Sequence, residues 1–297
     1  MNFIYKLAKD FIWKQYLSNG FQNLDIKIDN YVIDYWDNNW DNKKGQKTII
    51  LLHGFGAQTE FQWYKQVKTL SEAYRVIIPN LLYFGNTKEN DKYELQDQVN
   101  LVKIMVDNLK LEKIDLVGIS YGGLVAIEYC SQNVANIDKL VLIDAPIKFF
   151  NNEDLEKITK EYDLKNIEEL FAPTDYYGLK KQFRAAYYYK KFIPDFIYKI
   201  LYENLCLPNV ENWRKLILTL QSNLDFYSKK EYAFEQSTLL LWGEKDDIVP
   251  SRIGSQLANH LKDGKLEIIK KAKHLPNIEQ SKQFNTILMQ FLMNNLN

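Results

Sequence analysis

The sequence predicts an α/β fold: a mostly parallel central sheet with helices on both faces and one helical insertion. Three observations predict it. Short β-branched runs alternate with helix-periodic segments, as in βαβ units. Those runs are mostly apolar, and 48–52 is nearly so throughout, which suits strands buried on both faces. The alternation lapses between 147 and 235, where ring-rich helical sequence takes over, and then resumes.

The elements follow in order. Residues 1–16 read as an amphipathic helix, with Ile4, Leu7, Ala8, Phe11 and Ile12 on one face. Alternation over 26–35 around Asp29-Asn30 predicts an antiparallel hairpin, and 37–46 a polar turn. The run 48–52 is the first buried strand and ends in His53-Gly54-Phe55-Gly56. A helix is expected over 61–74, a strand over 75–79 and a helix over 93–109. Strands at 113–117 and 139–143 flank a helix that begins at Gly123. After the insertion come a strand at 238–242, a helix at 252–261, a strand at 266–269 and a terminal helix over 278–294. The chain divides into a core of 1–146 plus 236–297, in which 1–18 is the amphipathic helix, and an inserted cap of 147–235.

Composition narrows the function classes. Lysine plus arginine equal aspartate plus glutamate at 38 each, so no net charge draws the chain to nucleic acid. Two cysteines, Cys130 and Cys206, read as reduced core thiols rather than a disulfide framework. No stretch is apolar enough to span a bilayer, and Lys6, Lys9 and Asp10 break any signal-peptide core, so a cytoplasmic location is expected. For the first helix two readings stand. Its apolar face packs on its own domain, or it anchors peripherally on a membrane through Lys6, Lys9, Lys14, Phe3 and Trp13.

The chemistry sits in Gly118-Ile119-Ser120-Tyr121-Gly122, a G-x-S-x-G between a strand and a helix. Such a turn lifts a serine hydroxyl off the sheet as a nucleophile. A serine needs a base, and the base an orienting carboxylate. The chain has three histidines. His53 reads as a brace for its glycine loop, and His260, in a helix, as a solvated surface group. His274 follows the last strand, at the sheet edge where functional side chains gather, and is the candidate base. Asp246, in the loop after the strand at 238–242, is the candidate carboxylate; Asp144 and Asp247 are alternatives. The backbone N–H groups of Tyr121 and Phe55 are candidate oxyanion donors. Neither metal nor cofactor is expected.

On His53-Gly54-Phe55-Gly56, the 118–123 turn, the 242–250 loop and the 274–280 segment, the chain resembles the α/β-hydrolase superfamily over nearly its full length. The resemblance implies a cap closing over Ser120. Leu170-Phe171-Ala172-Pro173 and the aromatic run toward Phe192 look loosely like the monoacylglycerol-lipase and esterase branch. Two positions depart from the pattern. Where the family often has D-x-x-G-x-G-x-S, this chain places Asn80 at the acid and Tyr83 at the first glycine. Lys273 stands where a glycine usually precedes the histidine. The expected function is hydrolysis of a medium- or long-chain carboxylic ester, with a monoacylglycerol as one example. Phe55, Tyr121, Tyr187 and Tyr188 are the expected substrate-binding side chains. The alternatives are a C–C bond hydrolase of ring-cleavage products, and a small-molecule receptor that keeps the triad. The first would call for clustered Arg or Asn in the pocket, and the only arginines of the insertion are Arg184 and Arg214.

Overall fold

A computed structural model describes residues 2–39, 46–56, 58–89, 91–189 and 192–293. The expected turn over 37–46 lies mostly outside them. Helix α1 (Phe3–Leu17) precedes the hairpin β1 (Gln22–Ile28) and β2 (Tyr31–Asp37). Then come β3 (Lys47–Leu52), α2 (Thr59–Trp63), α3 (Val67–Ser71), β4 (Tyr74–Pro79), α4 (Leu95–Asn108), β5 (Ile114–Ile119), α5 (Tyr121–Gln132) and β6 (Ile137–Ile143). Helices α6 (Asn152–Glu161), α7 (Glu168–Phe171), α8 (Tyr176–Ala186), α9 (Asp195–Leu201), α10 (Val210–Ser222) and α11 (Leu224–Lys229) fill the insertion. A π-helical turn, Tyr202–Cys206, follows α9. The chain closes with β7 (Ser237–Gly243), α12 (Ser251–His260), β8 (Gly264–Ile269), α13 (Pro276–Glu279) and α14 (Ser281–Leu292).

The eight strands form one sheet in the order β1-β2-β4-β3-β5-β6-β7-β8. β1–β2 and β2–β4 pair antiparallel; every pairing from β4 across to β8 is parallel. This is the α/β-hydrolase fold. The parallel strands therefore deliver their carboxyl ends, and the loops carrying His53, Ser120, Asp144, Asp246 and His274, to one edge. Alternate residues of each strand feed opposite cores. Ile50, Leu116, Leu142 and Leu240 pack toward α4, α5 and α12, whereas Ile49, Val117, Val141 and Leu239 pack toward α1, α2, α3 and α14.

Three segments differ from expectation. The helix expected over 61–74 is two short helices, and Tyr74 already belongs to β4. The terminal helix is broken at Gln280, whose φ of −120° and ψ of 44° are not helical. The insertion does not build a wholly separate core: Ile167, Leu170, Trp213 and Leu216 join the same cluster as α4 and α5.

Lys139, on β6, is buried, and its Nζ donates to the carbonyls of Phe291 at 2.8 Å and Leu292 at 2.7 Å. Those are last-turn carbonyls of α14, which have no partner within the helix and favour a cation. Lys139→Met should take the buried ammonium donor from both carbonyls, leaving Leu292 O with the Tyr74 hydroxyl at 3.2 Å. The expected loss is about 1–3 kcal/mol of stability, read as a lower urea midpoint with an unchanged slope.

Candidate active site

Ser120 occupies the turn between β5 and α5 with φ 53° and ψ −121°, a conformation side-chain-bearing residues rarely hold. Its backbone is pinned: the N–H donates to Ile143 O at 2.7 Å, and the carbonyl accepts from Gly123 N at 2.9 Å. The turn closes only because two glycines flank it. A Cβ on Gly118 would lie 2.2 Å from Gly122 O, and one on Gly122 would lie 2.5 Å from His53 O.

The structure brings Ser120, His274 and Asp246 into one line. His274 Nε2 lies 2.8 Å from Ser120 Oγ, and His274 Nδ1 lies 2.8 Å from Asp246 Oδ2. All three are buried. Asp246 is itself oriented, because its Oδ1 accepts from the N–H groups of Ile248 (2.8 Å) and Val249 (3.1 Å). With Nδ1–H donated to the carboxylate, Nε2 is left as the acceptor for the serine hydroxyl. That is the tautomer a general base requires.

The alternative acids occupy other places. Asp247 Oδ2 accepts from Tyr162 Oη at 2.8 Å and pairs with Lys273 Nζ at 2.5 Å. Asp144 is fully buried behind Asp246. Its Oδ1 accepts from Gly243 N at 2.8 Å, while no group donates to its Oδ2. Burial first, and the adjacent Asp246 second, hold Asp144 well above the ordinary carboxylate range. Both effects favour its neutral form.

Phe55 and Tyr121 flank Ser120 from two sides. Their rings meet edge to face at 4.8 Å, and the Phe55 ring also contacts Phe84 and Phe171. Neither backbone N–H is engaged among the described residues. A Cβ on Gly54 would stand 3.1 Å from Ser120 Cβ, so this loop passes directly beside the serine.

His53 is fully buried away from the relay. Its Nδ1 lies 2.7 Å from Gly54 O, and its Nε2 accepts from Leu81 N at 3.0 Å. One ring thus ties the β3 loop to the β4 loop. His260 is not the solvated group expected: it is half-buried, its Nε2 accepts from Tyr232 N at 3.3 Å, and its ring packs on Phe149. The departure at Asn80 has a structural counterpart. Asn80 Nδ2 donates to Asp34 Oδ2 at 3.0 Å, and Asn86 N donates to the same oxygen at 3.1 Å, so the carboxylate of that loop comes from β2. Tyr83 holds the glycine's left-handed backbone with φ 69°.

Two cavities meet at Ser120. The larger, about 430 Å³, runs past Phe55, Phe183, Tyr187 and Leu275 to Ala8, Phe11 and Ile12 of α1. The smaller, about 50 Å³, lies beneath the cap against Tyr121, Phe150, Leu155, Ile167 and Ile217. Tyr188 lines neither; it is surface-exposed, and its N–H donates to Glu279 Oε1 at 2.8 Å. Sequence reasoning missed the α1 residues and Gln182, which also lines the larger cavity. The apolar periodicity of α1 was the available signal, but it does not say what the face covers. No cluster of metal-ligating side chains occurs among the described residues.

Burial lowers the His53 imidazole from 6.5 to about 4. Between those values the unfolded chain binds the proton and the folded one does not. Stability should therefore fall as pH drops below 6.5, by about 2 kcal/mol at pH 5. His53→Gln should remove that component, seen as a smaller difference between urea midpoints at pH 7 and pH 5.

Comparison with known proteins agrees with this architecture. The chain is 24% identical over 263 residues to the 2-hydroxy-6-oxononadienedioate/2-hydroxy-6-oxononatrienedioate hydrolase of Cupriavidus pinatubonensis, covering 86% of this chain and 89% of that one. It is 26% identical to the monoacylglycerol lipase abhd6-B of Xenopus laevis, over 84% and 77% of the two chains. The crystal structure of the lipase candidate lip1 from Acinetobacter baumannii superposes with a TM-score of 0.85 at 21% identity, covering 97% of this chain and 96% of that one. The model of the alpha/beta hydrolase fold family matches residues 47–281, and the chain belongs to that family.

Proposed function

We propose that the chain is a serine hydrolase of carboxylic esters with an extended apolar acyl group. The observation that carries this is the Ser120–His274–Asp246 relay at the end of a cavity with no charged side chain among its lining residues. A carboxylate-bearing ring-cleavage product would bury its charge there without a cation, which costs several kcal/mol. Arg184 does not serve it: its guanidinium lies over the Tyr162 ring. The relatives include both C–C hydrolases and a monoacylglycerol lipase at similar identity, so the lining of the cavity is the discriminating feature.

The chemistry runs in two halves. Ser120 Oγ attacks the ester carbonyl carbon as its proton passes to His274 Nε2. The carbonyl oxygen becomes an oxyanion and accepts from the N–H groups of Phe55 and Tyr121, the latter at the positive end of α5. The carbon–oxygen bond to the alcohol breaks, and the leaving alkoxide takes the proton from His274. Water then attacks the acyl-serine as its proton passes to His274, and the second intermediate collapses with His274 returning that proton to Ser120 Oγ, which releases the free acid. Asp246 holds the imidazole in register throughout. Asp144, favoured in its neutral form, sits beside Asp246 without adding a second buried charge.

The reading sets two outcomes. On p-nitrophenyl esters of increasing chain length, kcat/KM should rise from acetate toward octanoate and beyond. Ser120→Ala should lower kcat by about 10³-fold or more; a preference for acetate, or activity that survives the substitution, overturns the proposal. At the buried acid pair the variants should diverge. Asp246→Asn removes the carboxylate and should cost about 10³–10⁴ in kcat. Asp144→Asn keeps a neutral side chain of the same shape in the same place and should stay within about tenfold of wild type, compared by kcat across a pH series.

A further inference from the structure

Helix α1 does not bury the face its sequence marks as apolar. It docks on the core through Tyr5 and Tyr16, with Ile12 and Trp13 half-buried. Trp13 packs edge to face on Trp36 at 5.0 Å and its Nε1 donates to Glu60 at 3.3 Å, so it is a docking residue and not an interfacial one. Ile4, Leu7 and Phe11, spaced i, i+3 and i+7, form a stripe on the outer side and are 43%, 53% and 62% exposed; Phe3 is 71% exposed. Isolated exposed apolar residues need no explanation, but a contiguous stripe on one helix face marks an interaction site.

The stripe adjoins the mouth of the larger cavity. Ala8, Phe11 and Ile12 of α1 line that cavity, which ends at Ser120. Its opposite wall includes Leu201 of α9 and Leu205 of the following π-helical turn, and α9 packs against α1. The same α9 presents Phe196, 53% exposed, and the segment just before it Phe192, 92% exposed. The apolar surface is therefore continuous with the route to the serine. The helix carries Lys6, Lys9 and Lys14 against the single acid Asp10. A basic amphipathic helix with aromatic residues on its apolar side matches an anionic lipid interface in both charge and depth. Among the described residues no helix is long and apolar enough to cross a membrane, so the contact is one of lying on the surface.

We propose that α1 and the Phe192–Phe196 corner of the cap form a docking face for an anionic bilayer, with the cavity mouth at its centre. A single-chain lipid ester then slides from the leaflet into the cavity without its acyl chain crossing water. The choice of substrate rests on the ester-hydrolase reading; the docking face does not.

The test separates the two. Full-length Ser120→Ala protein, which cannot turn over, is spun with vesicles of phosphatidylcholine alone and with phosphatidylglycerol added. Partitioning should be at least tenfold stronger to the anionic vesicles. Ile4→Glu/Leu7→Glu, at positions that do not line the cavity, should abolish it, and Lys6→Glu/Lys14→Glu should reduce it on the anionic vesicles only. Built on wild type, Ile4→Glu/Leu7→Glu should hydrolyse soluble p-nitrophenyl butyrate at the normal rate. It should lose at least tenfold on monooleoylglycerol embedded in vesicles. A circular dichroism spectrum matching wild type confirms that these variants fold. Protein that stays in the supernatant with both vesicles overturns the docking face. So does undiminished binding of the double glutamate variant, or a dimer in sedimentation equilibrium that this variant dissolves. Vesicle binding by Ser120→Ala with no ester turnover by wild type supports the face and overturns the esterase reading instead.

Discussion

Everything at the active edge depends on holding Ser120 in a backbone conformation that costs about 1–3 kcal/mol when nothing enforces it. The enforcement is steric and comes from the closeness of β5, α5 and the β3 loop. Gly118 and Gly122 let three backbone segments come within contact distance, and no room is left for the turn to relax. The serine N–H bonded to the end of β6 adds a lateral tie. Once the oxygen is fixed, the rest is a matter of register. β6, β7 and β8 run parallel beside it, so the loops that follow β7 and β8 start from the same edge. Two hydrogen bonds of 2.8 Å then close the relay without any side chain reaching far.

The parts of this arrangement that were legible in the sequence are those encoded locally. A strand, a glycine-bounded serine and a helix in succession fix one geometry, and the strands at 48–52, 75–79 and 238–242 are found within a residue or two of where their apolar runs place them. Ser120, Asp246 and His274 were readable because chain order and sheet edge constrain them together. Other features depend on partners remote in sequence. Tyr188 falls on the surface because the helix before it ends at Ala186 and Glu279 captures its N–H. His260 is half-buried because Tyr232 and Phe149 come over it from the insertion and its exit. The apolar face of α1 was visible as a period, but a period does not name its neighbour; Tyr5 and Tyr16 took the core instead.

Two departures from the family pattern turn out to be exchanges of function between positions. The carboxylate absent at Asn80 is supplied by Asp34 on the neighbouring antiparallel strand, so the loop keeps a charged acceptor through a different chain segment. Lys273, in place of a glycine, contacts the Asp247 carboxylate, the Tyr162 hydroxyl at 3.1 Å and the Arg184 carbonyl at 3.3 Å. One ammonium thereby joins the histidine loop, the aspartate loop and two helices of the cap. A glycine would give that loop freedom; this lysine gives it a tether to the helical insertion.

The inequality of the two cavities has its own consequence. A carbonyl carbon placed at Ser120 must lay its two substituents into unlike spaces, about 430 Å³ on the α1 side and about 50 Å³ beneath the cap. The relay is indifferent to what is attached on either side of that carbonyl. The walls are not. If the long chain takes the roomy side, the departing half meets Phe150, Leu155, Ile167 and Ile217, side chains fixed in the same packed cluster as the core. Selectivity then acts by exclusion and falls on the leaving group: each atom added there must displace part of a close-packed interior, while atoms added to the acyl tail only extend along a groove already open.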